Sequence, residues 1–428
     1  MNRRDFIKNT ALGVGAVTLF GPRAFNVHAG EILPKKGKRV VVAGGGFGGA
    51  TAAKYLKMMD PKLDVILIEE RESFISCPVS NLVIGGLKEM KDITFSYSTL
   101  AKKYGISVLN AKILAIDPVS HKVETSKGSV AFDRMILSPG VDFIYDNIKG
   151  MDARSQELFP HAVKAGPQTV QLTRELKALK PGEHIVMSIP EAPFRCPPGP
   201  YERACLVANY LKNNKKGSKI IVLDANQDVV SKAKLFKAAW KDYYEGIIEY
   251  HQDSEVKEIK AETRTVVASS GEYVGAILNI IPEQKAGSMA FMGGLMPQGR
   301  RWSPVSALSF ESSVHKDVHI IGDATDGDVI GSMPKSGFVA STMGKAAAAS
   351  VMAMLAGKEP VSPYLANTCY SMVNEREAIY VTGVFEYDPQ TKKIAGKKAA
   401  GGVSPERSVL LGHQAEDWAK GIWSDTLG

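Results

Sequence analysis

The feature that most constrains the fold is a glycine-rich turn placed between a strand and a helix. Residues 38–43 are apolar enough for a buried parallel strand, and Gly44-x-Gly46-x-x-Gly49 follows before an alanine-rich helical stretch. Gly44 permits a tight turn, Gly46 lets the backbone approach a pyrophosphate, and Gly49 lets the helix pack closely on the strand. The next predicted strand ends in Glu69, whose carboxylate suits a ribose hydroxyl. The sequence therefore predicts a dinucleotide-binding βαβ unit.

A segment far along the chain predicts which dinucleotide binds. Residues 318–324 indicate a strand that ends in a Gly-Asp pair, and Lys335 lies just before a second alanine-rich helix. Asp323 at such a strand end can hold the ribityl chain of FAD, and the helix N-terminus can face the flavin pyrimidine. We assign Lys335 to the same site. The pattern resembles the α/β flavoproteins related to disulfide reductases, in which two dinucleotide-binding-like domains occur and the FAD domain is split by the middle one.

The middle of the chain has the strands of a second such unit but not its glycines. A predicted strand at residues 184–189 is followed by Pro190 and Pro193, and another strand follows at residues 219–223. Proline removes a donor N–H and blocks close approach of a phosphate. We therefore expect a middle domain that keeps the βαβ shape without binding a nicotinamide nucleotide.

These segments divide the chain into five predicted parts. They are an export signal (1–29), the first part of the FAD domain (37–150), a degenerate second dinucleotide-type domain carrying Cys196 (151–275), the second part of the FAD domain (276–360) and a small C-terminal interface domain carrying Cys369 (361–428).

The first residues predict an export address. The pair Arg3-Arg4, a short apolar run and an Ala29 cleavage site resemble a twin-arginine signal, the alternative being an amphipathic helix. This predicts a periplasmic protein, and in the periplasm a disulfide can persist.

The formal charge of +8 is spread along the chain rather than gathered in one element, which argues against a nucleic-acid partner. We see no apolar run of membrane-spanning length, and the eight histidines form no metal motif.

The four cysteines have different surroundings. Cys205 lies among apolar helix residues and is expected to be a small buried side chain. Cys196 lies among prolines and follows Arg195, whose charge favours a thiolate. Cys77 follows the second predicted strand. Neither Cys196 nor Cys369 has a C-x-x-C partner, so spacing does not choose a disulfide, and a Cys196–Cys205 pair remains open.

Four ordered segments carry a more specific resemblance, at residues 74–77, 194–202, 311–316 and 367–371. Together they resemble the flavoprotein subunit of flavocytochrome c sulfide dehydrogenase. The similarity runs over essentially the whole chain after the predicted signal, including Trp418 near the end.

The resemblance implies a cofactor, a mechanism and residue roles. In that family the cysteine matching Cys77 forms a thioether to the 8α-methyl group of FAD. The cysteines matching Cys196 and Cys369 form a redox-active disulfide, which hydrosulfide attacks to give a persulfide and a thiolate before two electrons pass to the flavin. Glu202 matches a carboxylate proposed as the local base, with a helix-capping surface glutamate as the alternative. Trp418 matches an aromatic residue near the flavin, with a buried core tryptophan as the alternative.

The electron acceptor follows from the same resemblance. The sequence contains no C-x-x-C-H, so haem c is expected only on a partner, a small c-type cytochrome subunit. A sulfide:quinone oxidoreductase is the nearest alternative, but its apolar C-terminal anchor does not match the short mixed tail here. A non-catalytic, flavin-bearing sulfur-binding or chaperone subunit is the other alternative.

Overall fold

The computed structural model describes residues 32–428, so the export signal predicted at residues 1–29 lies outside the described residues. The α-helices in the described part are α1 (Phe47–Met59), α2 (Ser80–Ile84), α3 (Ser98–Tyr104), α4 (Pro167–Ala178), α5 (Gly199–Asn214), α6 (Ala233–Tyr244), α7 (Gly327–Ile330), α8 (Gly337–Leu355) and α9 (Val409–Leu427).

A five-stranded parallel sheet forms the first domain, with two distant parts of the chain joined in it. Its order is β19-β9-β1-β2-β5, made by β1 (Arg39–Ala43), β2 (Asp64–Glu69), β5 (Ser107–Asn110), β9 (Arg134–Leu137) and β19 (Val318–Ile320). The central strand is fully buried, with α1 packed against this sheet, which fits its unbroken valine run. In this doubly wound order a ligand binds outside the carboxyl ends of the strands.

The middle domain repeats the parallel arrangement with four strands. Its order is β13-β12-β11-β17, made by β11 (Ile185–Ile189), β12 (Ile220–Asp224), β13 (Ile248–His251) and β17 (Ile277–Asn279). Because β17 pairs with β11, this unit continues to residue 279 rather than ending at the predicted 275. An antiparallel sheet of β14 (Val256–Lys260), β15 (Thr265–Ala268) and β16 (Gly271–Val274) lies beside it.

The last part of the chain adds an antiparallel sheet and a helix. The sheet consists of β20 (Tyr364–Met372), β21 (Ala378–Asp388) and β22 (Lys393–Val403), and helix α9 follows it. Helix α9 contacts both α1 and β20, so this unit packs on the first domain. The small remaining sheets are β3 (Ser73–Ile75) with β4 (Thr94–Ser96), β6 (Ile113–Asp117) with β7 (Lys122–Thr125) and β8 (Gly128–Ala131), and β10 (Val141–Ile144) with β18 (Glu283–Ala286).

One helix, α8, is long and apolar enough to cross a membrane. Half of this apolar stretch is buried inside the protein, and α8 packs against α1 in the first domain. Among the described residues this helix is the single candidate, and its packing is that of a core helix.

Candidate active site

The glycine turn at the end of β1 forms one end of a groove. Gly44 has a φ of +95°, and a Cβ atom there would lie 2.4 Å from the Ser138 carbonyl oxygen. A Cβ on Gly49 would lie 1.8 Å from the Gly44 carbonyl oxygen, so this glycine is needed for packing alone. A Cβ on Gly46 would meet nothing within 4 Å. Since no side chain caps the N-terminus of α1, its first N–H groups face open space that suits a phosphate.

Glu69 lies beside this turn at the end of β2. One carboxylate oxygen accepts the Gly45 N–H at 2.6 Å, and the other accepts the Arg71 N–H at 3.0 Å. A cavity of about 420 Å³ runs from the glycine turn and Glu69 to Cys77 and Arg195. The groove is therefore long, acidic at one end and thiol-bearing at the other.

Asp323 supplies the second contact predicted for FAD, from the turn after β19. The residue is buried; Oδ2 lies 3.2 Å from Arg195 Nε, whereas Oδ1 has no hydrogen-bond partner among the described residues. A buried carboxylate oxygen without a donor is costly, so the site fits a hydroxyl such as that of the ribityl chain. Together with the glycine turn, this orphaned oxygen shows that the residues fit FAD.

The Lys335 side chain contacts residues of the FAD domain itself and does not line the dinucleotide groove. Its ammonium donates to the carbonyl oxygens of Asp323 and Thr325, both at 2.8 Å, and lies 3.8 Å from the centre of the Trp302 ring. Burial lowers the pKa of Lys335 to about 8. The ammonium therefore holds the Asp323 turn in place, and a direct contact with FAD stays a prediction.

Cys77 lies where two cavities meet. It lines both the dinucleotide groove and a smaller cavity of about 200 Å³ that also contains Cys196, Cys369, Glu202 and Trp418. The Ala165 N–H donates to its sulfur at 3.3 Å. A thiol in this position borders on both the dinucleotide site and the remaining cysteines.

Cys196 and Cys369 come together from two domains. Cys196 lies in the loop between β11 and α5, and its N–H donates to the Lys335 carbonyl at 2.7 Å, which ties this loop to the first domain. Its φ of +55° is unusual for a residue with a side chain. Cys369 lies in β20, its thiol donates to the Tyr370 carbonyl at 3.7 Å, and it lines the same cavity as Cys196. All four cysteines are thiols in this structure, so the covalent pairing of these two stays a prediction.

Cys205 has no part in this cavity. Its sulfur is fully buried in helix α5 and accepts the Trp240 indole N–H at 3.2 Å. Burial raises the pKa of Cys205 to about 12, as expected for a structural thiol. Of the two partners that spacing left open for Cys196, the structure brings Cys369 to it.

The charges around the two thiols only partly follow the sequence prediction. Arg195 does lower the pKa of Cys196 as expected, although its guanidinium also forms an ion pair with Asp323, but other groups outweigh this effect. The neighbouring Cys369 thiol, then burial and the charge of Glu202, raise the pKa of Cys196. The pKa of Cys369 is lowered instead, because of the neighbouring Cys196 thiol and the positive charge of Lys232.

Glu202 lies in the first turn of α5 and turns toward the cavity. One oxygen accepts the Met372 N–H at 2.9 Å, and the other accepts the Asn81 amide at 2.8 Å. Because both oxygens bind other elements, the carboxylate is not a surface cap of its own helix. Burial raises the pKa of Glu202, because the charged carboxylate is disfavoured away from water.

Two tryptophans of α9 close the cavity. Trp418 is half-buried, its ring centre lies 5.9 Å from that of Tyr370, and its indole N–H has no acceptor among the described residues. Trp423 donates to Ser76 at 2.8 Å and lines the same cavity, although the sequence analysis did not select it. Lys232 is a second residue that sequence reasoning missed, since no motif marks the chain after β12.

The middle domain has filled its own nucleotide position. Asp224, at the end of β12, accepts the hydroxyls of Tyr201 at 2.7 Å and Tyr250 at 2.9 Å and is fully buried. An acid at this strand end would otherwise bind a ribose. Residues 190–198 form the Cys196 loop where a phosphate turn would lie, so these residues do not fit a nicotinamide dinucleotide.

A second, open cavity of about 590 Å³ lies on another side of the two thiols. The Cys196 loop, the chain before α8 and the β21–β22 hairpin line it, and both Cys196 and Cys369 border on it. The dithiol is therefore reachable from two cavities.

Comparison with family models covers most of the described chain. Residues 169–282 match the central domain of the sulfide dehydrogenase (flavocytochrome c) flavoprotein chain, and residues 361–427 match the flavocytochrome c sulphide dehydrogenase flavin-binding domain. Residues 38–187 match the pyridine nucleotide-disulphide oxidoreductase domain, which confirms the predicted fold class.

Known proteins give a consistent result. The sulfide dehydrogenase flavoprotein chain of Chlorobaculum thiosulfatiphilum is 59% identical over 46 residues, which are 11% of this chain and 96% of that sequence. The sulfide-quinone reductase of Aquifex aeolicus is 28% identical over 156 residues, 36% of this chain and 35% of that one. The mitochondrial sulfide:quinone oxidoreductase of Dictyostelium discoideum is 24% identical over 260 residues, 55% and 56% of the two chains. The match thus spans about a third to a half of these quinone-linked relatives.

Solved structures share the fold at low sequence identity. The sulfide:quinone oxidoreductase of Aquifex aeolicus aligns with a TM-score of 0.72 and 19% identity over 91% of each chain. An NAD-dependent persulfide reductase from A. fulgidus aligns with a TM-score of 0.64 and 16% identity over 90% of this chain and 77% of that one. With the FAD groove, the converging cysteines and the matched domains, the chain belongs to the family of flavocytochrome c sulfide dehydrogenase flavoprotein chains.

Proposed function

We propose that this chain oxidises sulfide to sulfane sulfur or polysulfide through a Cys196–Cys369 disulfide and FAD, and passes the electrons to a c-type cytochrome subunit. The observation that carries the proposal is the convergence of Cys196 and Cys369, which come from different domains and line the same two cavities, one of them shared with Cys77. A structural pair of thiols would not need access to two cavities.

The chemistry assigned to the cysteines is thiol–disulfide exchange. Hydrosulfide attacks the disulfide, one sulfur becomes a persulfide, and the other leaves as a thiolate. FAD, when bound in the groove, supplies the two-electron acceptor for the dithiol. The buried Glu202 carboxylate takes the proton released when hydrogen sulfide becomes hydrosulfide, and its bonds to Asn81 and Met372 hold it in place.

We further propose that Cys77 carries FAD as a thioether. The support is its place at the end of the dinucleotide groove, where it also borders on the dithiol cavity. Trp418 lines the same cavity with an indole N–H that lacks an acceptor, so we propose that it contacts the flavin or a sulfur species there.

The electron acceptor and the location belong to the same proposal. The C. thiosulfatiphilum relative is named as the flavoprotein chain of a flavocytochrome, which favours a haem-bearing partner subunit. The twin-arginine pattern at Arg3-Arg4 supports export to the periplasm. Quinone is the alternative acceptor, favoured by the similarity to sulfide-quinone reductases. A non-catalytic sulfur-binding role is the remaining alternative.

An intact-mass measurement of the denatured protein tests the cofactor first. A mass increase of one FAD that disappears in Cys77→Ser supports the thioether, whereas flavin released by denaturation of the wild type contradicts it. Anaerobic sulfide is then added to wild type, Cys196→Ser, Cys369→Ser and the matched control Cys205→Ser. We expect flavin bleaching in the wild type and the control only.

The acceptor is identified by steady-state assay with cytochrome c and with a short-chain ubiquinone. Faster reduction of cytochrome c supports the proposal, and faster reduction of quinone favours the alternative. If sulfide does not bleach the flavin of the wild type, the result favours the non-catalytic sulfur-binding role.

A further inference from the structure

Lys232 is a buried lysine next to the cysteine pair that no part of the mechanism above uses. It precedes α6, and its side chain is only slightly exposed. Its ammonium donates to the Ser371 hydroxyl at 2.8 Å and to the Cys369 carbonyl at 3.3 Å. Both acceptors belong to β20, so the positive charge is attached to the strand that carries Cys369.

This ammonium has no carboxylate in ion-pair contact within the described chain. Its two hydrogen bonds go to neutral oxygens, the third N–H has no acceptor among the described residues, and the Phe236 ring centre lies 5.7 Å away. Glu202 is the nearest candidate counter-ion by charge, but its oxygens bind Asn81 and Met372. A buried charge is costly unless an opposite charge compensates for it. The charge of Lys232 is therefore not neutralised by an ion pair, and a thiolate on Cys369 would compensate for it.

The other charged groups around the thiols are already engaged. The Arg195 guanidinium, next to Cys196, forms an ion pair with Asp323. The Arg203 guanidinium donates to carbonyl and amide oxygens of Asn81, His161, Ala162 and Asn279. Of the groups that face Cys369, which are Cys196, Lys232 and Glu202, only Lys232 carries a positive charge.

We propose that Lys232 is a positioning residue that makes the two sulfurs inequivalent, so that Cys369 leaves as the thiolate and hydrosulfide bonds to Cys196. The inference rests on the proposed disulfide chemistry. In such an exchange the sulfur with the better-stabilised thiolate is the preferred leaving group. The lowered pKa of Cys369 and the raised pKa of Cys196 agree with this order.

The step balances without another reactant. Hydrosulfide forms a new S–S bond to Cys196 while the bond between Cys196 and Cys369 breaks. The electron pair of the broken bond stays on Cys369, so one anion enters and one anion remains. The incoming sulfur keeps its hydrogen and ends as the outer atom of a Cys196 persulfide.

The test measures the two thiols of the flavin-containing protein after reduction with tris(2-carboxyethyl)phosphine, without sulfide. Iodoacetamide alkylation is followed from pH 5 to 10, and the Cys196 and Cys369 peptides are quantified separately by mass spectrometry. The variants are Lys232→Met, Lys232→Arg and the matched control Lys234→Met, which removes an exposed lysine two residues further on, in the first turn of α6. If Lys232→Met does not fold, Lys232→Gln removes the charge and keeps a donor for Ser371.

We expect Cys369 to have the lower midpoint in the wild type. Lys232→Met should raise that midpoint by at least about one pH unit, a tenfold loss of thiolate at lower pH. Lys232→Arg should keep most of the wild-type value, and Lys234→Met should match it. Unchanged midpoints in Lys232→Met, or a midpoint that rises equally in Lys234→Met, would overturn the proposal.

Single-turnover mapping of the persulfide supplies a second readout. Anaerobic hydrosulfide is added to the oxidised protein at one equivalent, and the product is trapped with iodoacetamide. We expect the persulfide on Cys196 in the wild type and a mixture on Cys196 and Cys369 in Lys232→Met. A wild-type persulfide on Cys369 would refute the assigned order. That result leaves sulfide oxidation itself intact, whereas absence of any persulfide or flavin bleaching contradicts the proposed function.

Discussion

Alanine substitution at two glycines of one turn should affect folding stability differently. Gly46 and Gly49 both belong to the dinucleotide motif, yet a Cβ on Gly46 meets nothing within 4 Å, whereas a Cβ on Gly49 lies 1.8 Å from the Gly44 carbonyl oxygen. The space at Gly46 is therefore kept open for a ligand, and the space at Gly49 is used by the protein itself. Alanine at each position separates these two requirements.

Gly46→Ala should leave the flavin-free fold intact and weaken flavin binding. The residue has a φ of −70° and a ψ of −169°, which alanine adopts without strain, but it is also the N-cap of α1, where alanine is less favourable than glycine. These two effects oppose each other, so the stability of the flavin-free chain should change by less than about 1 kcal/mol. The added methyl group enters the place of the pyrophosphate. We expect FAD affinity to fall at least about tenfold, which corresponds to about 1.4 kcal/mol.

Gly49→Ala should damage both properties. Its Cβ must move from 1.8 Å to at least 3.0 Å from the carbonyl oxygen, which separates α1 from the turn. Overpacking of this kind costs about 1–3 kcal/mol of folding stability. Flavin binding should fall as well, because the N-terminus of α1 moves.

The assay combines urea unfolding with flavin titration. Both substitutions are made in the Cys77→Ser background, so that flavin can be removed and added back whether or not the wild type holds it covalently. Urea midpoints of the flavin-free proteins report folding, and quenching of flavin fluorescence reports affinity. Wild-type FAD affinity in Gly46→Ala would refute the assignment of the pyrophosphate to this turn. An equal loss of stability in both variants would refute the distinction drawn between the two glycines.

Three further predictions concern buried groups. Burial raises the pKa of Glu202, so the stability of the wild type relative to Glu202→Gln should fall as the pH rises from about 4.5 through the folded-state pKa. Urea unfolding of both proteins from pH 4 to 8 measures this difference. A stability difference that increases with pH would contradict the prediction. Burial lowers the pKa of Lys335 to about 8, so the stability of the wild type relative to Lys335→Met should increase between about pH 8 and 10.5. Urea midpoints that differ by the same amount throughout this range would contradict the lowered pKa. Cys205→Ala should cost about 1–3 kcal/mol, because the Trp240 indole N–H loses its acceptor, while the rate of flavin bleaching by sulfide stays unchanged; a loss of bleaching in the folded variant would give Cys205 a catalytic role.

Local sequence patterns predicted the fold class. The sequence predicted a buried parallel sheet from the unbroken apolar strand before Gly44 and from the acid that ends the next strand. The structure has that sheet, and strands from both parts of the first domain belong to it. These signals can be recognised in the sequence because hydrophobic periodicity and turn chemistry depend on residues that are neighbours along the chain. The prolines after β11 likewise marked a nucleotide position that the tertiary structure fills with the Tyr201 side chain.

The site required tertiary information. Spacing left Cys196 with two possible partners, and only the packing of β20 against the middle domain brings Cys369 to it and leaves Cys205 with Trp240. Arg195 is adjacent to Cys196 in sequence and lowers its pKa, but the fold adds Cys369, burial and Glu202, which together raise it.

The sequence by itself thus determined the βαβ units, the glycine turn and the family, because these depend on neighbouring residues. The tertiary structure decided which thiols meet and which cation lies beside them. Lys232 shows the reason: no residue near it in sequence marks it, and its ammonium gains its partners only when the start of α6 lies against β20. Electrostatic interactions act through space, so the charge at a cysteine depends on the groups that the fold brings to it.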